Sequence, residues 1–470
     1  MRTILCLCLL LACGARTQVQ AQVELSGAAN RQLQELTEFN EAFGGAHVGF
    51  CLYSLETGQY LFGHHADRAF VPASNVKLLT FYLTQHELGY RTPGVFYQEF
   101  ADRLEIWGAG YPLALHPGFV GYDELMPWLR ERTAGGKLLV LNQHPRNAPP
   151  RYGSGWSWDD WNYGFVYERS ALPLYGNRLF LDRPALVRPI PGSAGEPLEP
   201  TALLPPPLMG SPPGIAATIR VDTTQRRRLV RAEATNDFTA APELFVPGRT
   251  RFPVERALVT SPEQTLTQLS TALPEGRIVA GERPRPAPTE LSTYDVSLPD
   301  TVFRRLLQDS DNFLAEQLIL QTAARRYGRF AEGDLFDYAV DTLFPQVDPA
   351  FGDFRWDDGS GLSRYTLVTP RQMARTVMLL DTEVGRERLT GLLPAGGVSG
   401  TLERRFDDAE KPYVWAKTGS LSGVTALSGL VRTRRGNWLA FSFMVNNYVG
   451  RGRPVMEGMD RVVRWVYLNL

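Results

Sequence analysis

The chain has 470 residues, too many for one ordinary domain, and at 44% hydrophobic and 21% charged it has the make-up of a globular protein with a sizeable core. A formal net charge of -1 leaves nothing to suggest nucleic acid or an acidic membrane surface as a partner. Three of the four cysteines (Cys6, Cys8 and Cys13) precede residue 22, so Cys51 stands alone afterwards and a disulfide framework is excluded.

The N-terminus reads as an export signal. Arg2 supplies the positive start, Ile4 to Cys13 is an apolar run too short to span a bilayer, and Val19-Gln20-Ala21 fits a small-residue cleavage site. The rival reading takes Leu10-Leu11-Ala12-Cys13 as a lipoprotein signal with Cys13 lipidated. No later stretch is long and apolar enough for a transmembrane segment.

Ala29 to Phe39 has helical texture, and His47 to Phe62 alternates as a hairpin turning at Thr57-Gly58. Cys51 falls in that alternation as a small buried hydrophobe. Pro72 precedes a helix from about Ser74 to Leu88, apolar on most sides and so expected to be buried. From about Thr92 to Ser297, prolines, glycines and aromatics are frequent and helical periodicity is weak, with Thr218 to Ala234 as a candidate hairpin. Helical texture returns at Asp300. Three strand-like runs follow, at Tyr413 to Lys417, Val424 to Val431 and Trp438 to Val445, and a helix from about Val455 to Leu468 closes the chain. The hairpin and the last three strands together predict a five-stranded antiparallel sheet flanked by helices, an α+β fold with a long strand-rich insertion.

Lys and Arg together number 49, and only Lys77, Lys137, Lys411 and Lys417 are lysines. Where charge alone is wanted this chain writes arginine, so a lysine raises the question of what an ammonium does that a guanidinium cannot. One answer is to lose its proton. Lys137 and Lys411 read as solvated turn residues, after Gly135-Gly136 and before Pro412.

Lys77 closes Ser74-Asn75-Val76-Lys77. Positions three apart on a helix share a face, so the amine can reach the hydroxyl and act as the base a serine nucleophile needs. Ser310-Asp311-Asn312 stands before a helical run, where a helix cap is the plainer reading. Lys417-Thr418-Gly419-Ser420 ends a strand. There Gly419 would let a substrate lie close, Thr418 and Ser420 offer hydroxyls to a carboxylate, and Lys417 adds charge that would also depress Lys77. No G-x-S-x-G elbow and no H-E-x-x-H occurs, and the last histidine is His144, which disfavours a Ser-His-Asp hydrolase and a metallopeptidase. No cofactor and no metal is expected.

These three patterns, in this order, are shared by β-lactamases and penicillin-binding proteins. With the long insertion between the first two, the chain resembles the D-Ala-D-Ala carboxypeptidase/endopeptidase family, the class C low-molecular-mass penicillin-binding proteins of the penicillin-binding protein 4 type. Phe70 to Thr80, Ser310 to Gln317, Asp358 to Arg364, Gly400 to Leu402 and Ala416 to Gly429 carry the likeness. The resemblance implies a penicillin-binding/β-lactamase-like transpeptidase domain in two parts, 22–95 and 298–470, around inserted subdomains at 96–297, with the signal at 1–21. It implies that Ser74 attacks the penultimate D-Ala carbonyl and Lys77 takes its proton. Ser310 and Lys417 would relay a proton to the leaving amine, Asn312 would hold the peptide group, and Thr418, Gly419 and Ser420 would bind substrate. The backbone N–H groups of Ser74 and Ser420 would form the oxyanion hole. Trp156, Trp158, Asp159 and Asp160 are candidate wall contacts. Peptidoglycan stem peptides would be the substrate, β-lactams covalent ligands, and the periplasm or cell envelope the location. The alternatives are a β-lactamase- or esterase-like hydrolase on the same fold and an inactive peptidoglycan-binding scaffold.

Overall fold

The computed structural model describes residues 25–181, 218–222, 224, 229–245 and 254–470. The expected signal at 1–21, Cys13 and the proline runs at 205–207 and 212–213 lie outside the described residues.

A first helix, α1 (Gly27–Glu38), is capped by Ser26, whose side chain accepts from the Ala29 N–H. It leads to the hairpin β1 (His47–Ser54) and β2 (Tyr60–His64). Its partners come from the far end of the chain, β13 (Val414–Leu421), β14 (Val424–Arg432) and β15 (Trp438–Asn446). The five strands form one sheet in the order β13-β14-β15-β1-β2, antiparallel throughout.

The two-residue period of a strand divides this sheet between two cores. Phe50, Leu52, Phe441, Phe443 and Val445 face α1 and the C-terminal helix Gly452–Asn469, which contributes Val455, Met459 and Val462. Cys51, Tyr53, Ala440 and Met444 face the other way, toward α2 (Lys77–Leu88) and the helix Pro370–Val384. The middle strands are therefore apolar on both faces. Each fully buried Leu or Phe side chain contributes about 1.5–3 kcal/mol, so the central strands are held by burial more than by edge pairing. Cys51 is free and fully buried, and burial pushes its thiol up to about 12. Lys77 to Gln85 of α2 are all buried, as expected of a helix packed on several sides.

Between the two parts of that sheet the chain builds a second five-stranded sheet, β11-β5-β4-β3-β12. Its strands are β3 (Arg91–Glu99), β4 (Arg103–Gly108), β5 (Leu138–Asn142), β11 (Arg277–Gly281) and β12 (Ser292–Ser297). Two helices in this stretch, α3 (Leu125–Arg132) and α4 (Pro262–Ala272), break the strand-rich texture. Two small sheets complete it. One pairs β6 (Arg178–Leu181) with β10 (Val254–Ala257). The other places β9 (Asp237–Ala240) between β7 (Thr218–Val221) and β8 (Leu229–Arg231). The hairpin expected over Thr218 to Ala234 is therefore not formed, because β7 and β8 each pair with β9 and not with one another. Phe238 and Ala240 pack into the same small core as Leu229, which gives the central place to the strand with two buried apolar side chains.

After β12, α5 (Asp300–Gln308) and α6 (Asn312–Tyr327) return the chain to α2. The fold is α+β: a five-stranded antiparallel sheet with helices on both faces, and a second mixed sheet from the intervening chain. Among the described residues no helix is long and apolar enough to cross a membrane.

Candidate active site

Ser74 sits in a 3₁₀ turn, Ala73–Val76, that runs directly into α2. The turn is tightly wedged. Ala73 has φ 47°, a left-handed conformation that costs a residue with a Cβ and persists only where neighbours impose it. On one side lies the loop Asp358–Ser363, where a Cβ on Gly361 would come within 2.0 Å of the Ala73 carbonyl oxygen. On the other lies β13, where a Cβ on Gly419 would meet the Pro72 carbonyl oxygen at 2.6 Å. Gly419 was expected to make room for a substrate; the space it leaves is taken by the turn that carries Ser74. The Asn75 amide donates to the Lys417 carbonyl at 3.0 Å and ties that turn to the strand.

The expected residues converge from three separate elements. Lys77, fully buried at the start of α2, reaches Ser74 Oγ at 3.0 Å. Its other hydrogens go to Asn312 Oδ1 and to the Ser360 carbonyl, both at 2.6 Å. Ser74 Oγ also lies 3.3 Å from the Ser360 carbonyl. Lys417, buried on β13, donates to Ser310 Oγ at 2.9 Å and to the Thr418 carbonyl at 2.8 Å. Thr418 Oγ1 donates to Thr401 Oγ1 at 2.8 Å, and Ser420 is exposed at the end of the row.

Burial lowers the Lys77 amine to about 8, against an upward pull from Asp358, Glu316 and Asp311. Lys417 was expected to depress Lys77 by like charge; burial is the larger cause at both amines, and repulsion between the two adds to it at Lys417, which is held well below its ordinary value.

The helix-cap reading of Ser310-Asp311-Asn312 holds for its middle residue. Asp311 caps α6, accepting from the Leu314 N–H at 3.1 Å, while Ser310 (φ 58°) and Asn312 turn into the site. Burial opposes ionisation of Asp311, but Arg178 donates to both its oxygens at 2.7 and 2.6 Å and Arg305 adds a third contact at 3.0 Å, which together hold it well below the carboxylate range. Arg178 lies on β6, over a hundred residues away, and no short pattern announces it. Ser360, Thr401, Glu316 and Asp358 were also missed as site residues, although each lies inside or beside the stretches that carry the family likeness.

The intervening region touches the site at a few points. The Trp156 indole donates to Asp358 Oδ2 at 3.0 Å, and the Asn312 amide donates to the Phe165 carbonyl at 2.8 Å. Trp158 is 85% exposed and Asp159 is exposed. The Asp160 carboxyl is raised by partial burial and by Asp159. Among the described residues no group of three or more His, Cys, Asp or Glu is placed to hold a metal.

Half-buried Ser74 beside fully buried Lys77 at a helix start, with Ser310 before α6 paired to Lys417 on the sheet edge, is an arrangement in which an amine could serve a serine as its base in place of histidine. The D-Ala-D-Ala carboxypeptidase 3 (S13) family model matches residues 29–92 and 144–466, and the chain belongs to that family. It is similar to the D-alanyl-D-alanine carboxypeptidase DacB of Haemophilus influenzae, at 31% identity over 176 residues, which is 37% of this chain and 36% of that one. It is similar also to the carboxypeptidase DacB of Mycolicibacterium smegmatis, at 33% over 172 residues, 34% of this chain and 36% of that one. The alignments thus span about a third of these relatives' length. In three dimensions the chain resembles penicillin binding protein 4 (dacB) from Haemophilus influenzae, with a TM-score of 0.68 at 20% identity over 93% of this chain and 99% of the other. The same protein complexed with a β-lactam matches at 0.63.

Proposed function

We propose that this protein is a serine D-Ala-D-Ala carboxypeptidase/endopeptidase that cleaves peptidoglycan stem peptides through an acyl-enzyme on Ser74. The observation that carries the reading is the set of partners around Lys77. A protonated lysine has three hydrogens to donate, and a neutral one has two and a lone pair. With Asn312 Oδ1 and the Ser360 carbonyl each 2.6 Å away, a neutral Lys77 spends both hydrogens on them. Its lone pair is then left for the Ser74 O–H, 3.0 Å away.

From that state Ser74 Oγ attacks the carbonyl of the penultimate D-Ala as its proton passes to Lys77. The N–H groups of Ser74 and Ser420 receive the developing oxyanion. Thr418 and Ser420 take the terminal carboxylate, whose charge favours the ammonium form of buried Lys417. Lys417 then supplies a proton through Ser310 Oγ, 2.9 Å away, to the departing amine, and the C–N bond breaks. Once D-Ala has left, the proton on Lys77 passes through solvent back to the now neutral Lys417, and neutral Lys77 deprotonates the water that attacks the ester and returns that proton to Ser74 as the ester C–O bond breaks. A β-lactam presents a cyclic amide to the same attack, but its leaving group stays tethered and the acyl-enzyme persists. Trp156, Trp158, Asp159 and Asp160 belong to the wall that meets the stem peptide, with Trp156 held by Asp358 and Trp158 free to contact a ligand. Export by the signal at 1–21 would bring the enzyme to its substrate in the periplasm or cell envelope.

Incubation with benzylpenicillin followed by intact-mass and peptide mass spectrometry tests this. The expected result is one adduct on the peptide that contains Ser74. Unmodified wild-type protein would sink the peptidase reading and leave the inactive scaffold. Release of D-Ala from a stem pentapeptide, measured beside cleavage of a cross-linked dimer, separates carboxypeptidase from endopeptidase action.

A further inference from the structure

The Ser360 carbonyl lies within hydrogen-bond reach of both Ser74 Oγ and the Lys77 amine, so whatever fixes Ser360 aims the amine. Two buried carboxylates do so. Glu316 Oε1 accepts the Ser360 N–H at 2.8 Å. Glu316 follows Asn312 by four residues on α6, and such positions share a helix face. One face of one helix therefore presents Asn312 to Lys77 directly and holds the peptide unit that presents the second acceptor. Asp358 holds the same loop from within. Its oxygens accept from Ser360 Oγ at 3.2 Å, the Gly361 N–H at 3.1 Å, the Ser363 N–H at 2.8 Å and the Trp156 indole at 3.0 Å.

We propose that Glu316 and Asp358 are positioning residues for acylation, which clamp Ser360 so that its carbonyl directs the Lys77 lone pair at Ser74 and whose carboxylate charge bears on that amine. This rests on the acyl-enzyme reading above. Both carboxyls are held above their ordinary values, by burial first and, for Glu316, then by Asp358, so each resists ionising beside the other. The charged groups around them are few. Arg169 faces Glu316 at 3.5 Å and is shared with Glu332 at 3.1 Å. Asp311 adds its charge to that of Glu316 and Asp358 on Lys77, and the Lys417 amine, itself held well below its ordinary value, is coupled to Lys77. The pair therefore opposes the desolvation of Lys77. Without it the amine would become a weaker base.

The test is the pH dependence of acylation by the chromogenic cephalosporin nitrocefin, followed by stopped flow. Glu316→Gln keeps the shape and removes the charge. The acid limb of the rate profile should move down by about half to one pH unit. The plateau rate should fall about two- to threefold as the base weakens, and non-covalent affinity for the cephalosporin should be unchanged. A rate loss equal at every pH, with the limb unmoved, would mean a merely structural role and overturns the proposal. If Glu316→Gln fails to fold, Trp156→Phe decides. It removes only the indole donor to Asp358, makes that carboxyl harder to ionise and should move the limb the same way by less; an unmoved limb overturns the proposal. Failure of the underlying reading shows itself differently, as absence of acylation in the wild-type protein before any variant is made.

Discussion

The sheet β13-β14-β15-β1-β2 with its helices and the intervening region of residues 91–297 meet at one site, and they contribute to it in different ways. From the first come the groups placed to react: Ser74 and Lys77 at the start of α2, Ser310 and Asn312 at the start of α6, and Lys417 on β13. From the second come groups that hold those in place. Arg178 grips Asp311, Trp156 and Arg169 hold the two buried carboxylates, and Phe165 accepts from Asn312. Reactive groups need a rigid helix or strand beneath them, whereas a support has only to deliver one long side chain to the right spot. The supports can therefore come from distant and irregular chain.

That division can be broken by mutation. The largest effect should come from Ser74→Ala, which removes the nucleophile and should abolish the penicillin adduct, a loss of roughly 10³-fold or more in acylation, with thermal stability unchanged. Lys77→Arg should come close to it, because a guanidinium stays protonated and cannot take the serine proton. Normal acylation in that variant would show Lys77 to be structural. Arg178→Ala tests the other side. It leaves Asp311 buried with only Arg305, which should cost about 3 kcal/mol in chemical denaturation, near the low end for breaking a buried pair, and should slow acylation as well. Full activity with only a stability loss would separate this support from the chemistry. In the wild-type protein, acylation should fall as pH drops through about 8, because the amine whose value burial lowers is protonated below it and can no longer accept. A rate flat between pH 6 and 9, roughly one unit or more on either side of that value, would contradict Lys77 as the base. The smallest effect should come from Thr401→Val, which takes one hydrogen-bond partner from Thr418 and should raise KM a few-fold, equivalent to about 1 kcal/mol, with kcat little changed.

Much of the first region was legible because its signals are local. The alternation of β1, the Thr57-Gly58 turn and the three last strands each announce themselves over a few residues, and the observed strands extend the expected ones by only a few positions. The scarcity of lysine singled out Lys77 and Lys417. In the second region the shift to proline- and glycine-rich chain was legible, but α4, with Ser261 accepting from the Gln264 N–H as its cap, was not expected. The middle place of β9 was not, because strand order depends on which segments share a core and not on their sequence neighbours.

The sequence by itself determined the candidate reacting groups and their order, since Ser74 and Lys77 are brought together by one helical turn and Lys417 to Ser420 share one strand. Only the tertiary structure decided what surrounds them. It made burial the first cause of the lowered Lys77 amine, gave the room at Gly419 to the turn that carries Ser74, and set Glu316, Asp358 and Arg178 behind the site. Burial and long-range charge depend on distances that close only when residues far apart in the chain are packed together, and no local pattern records those distances.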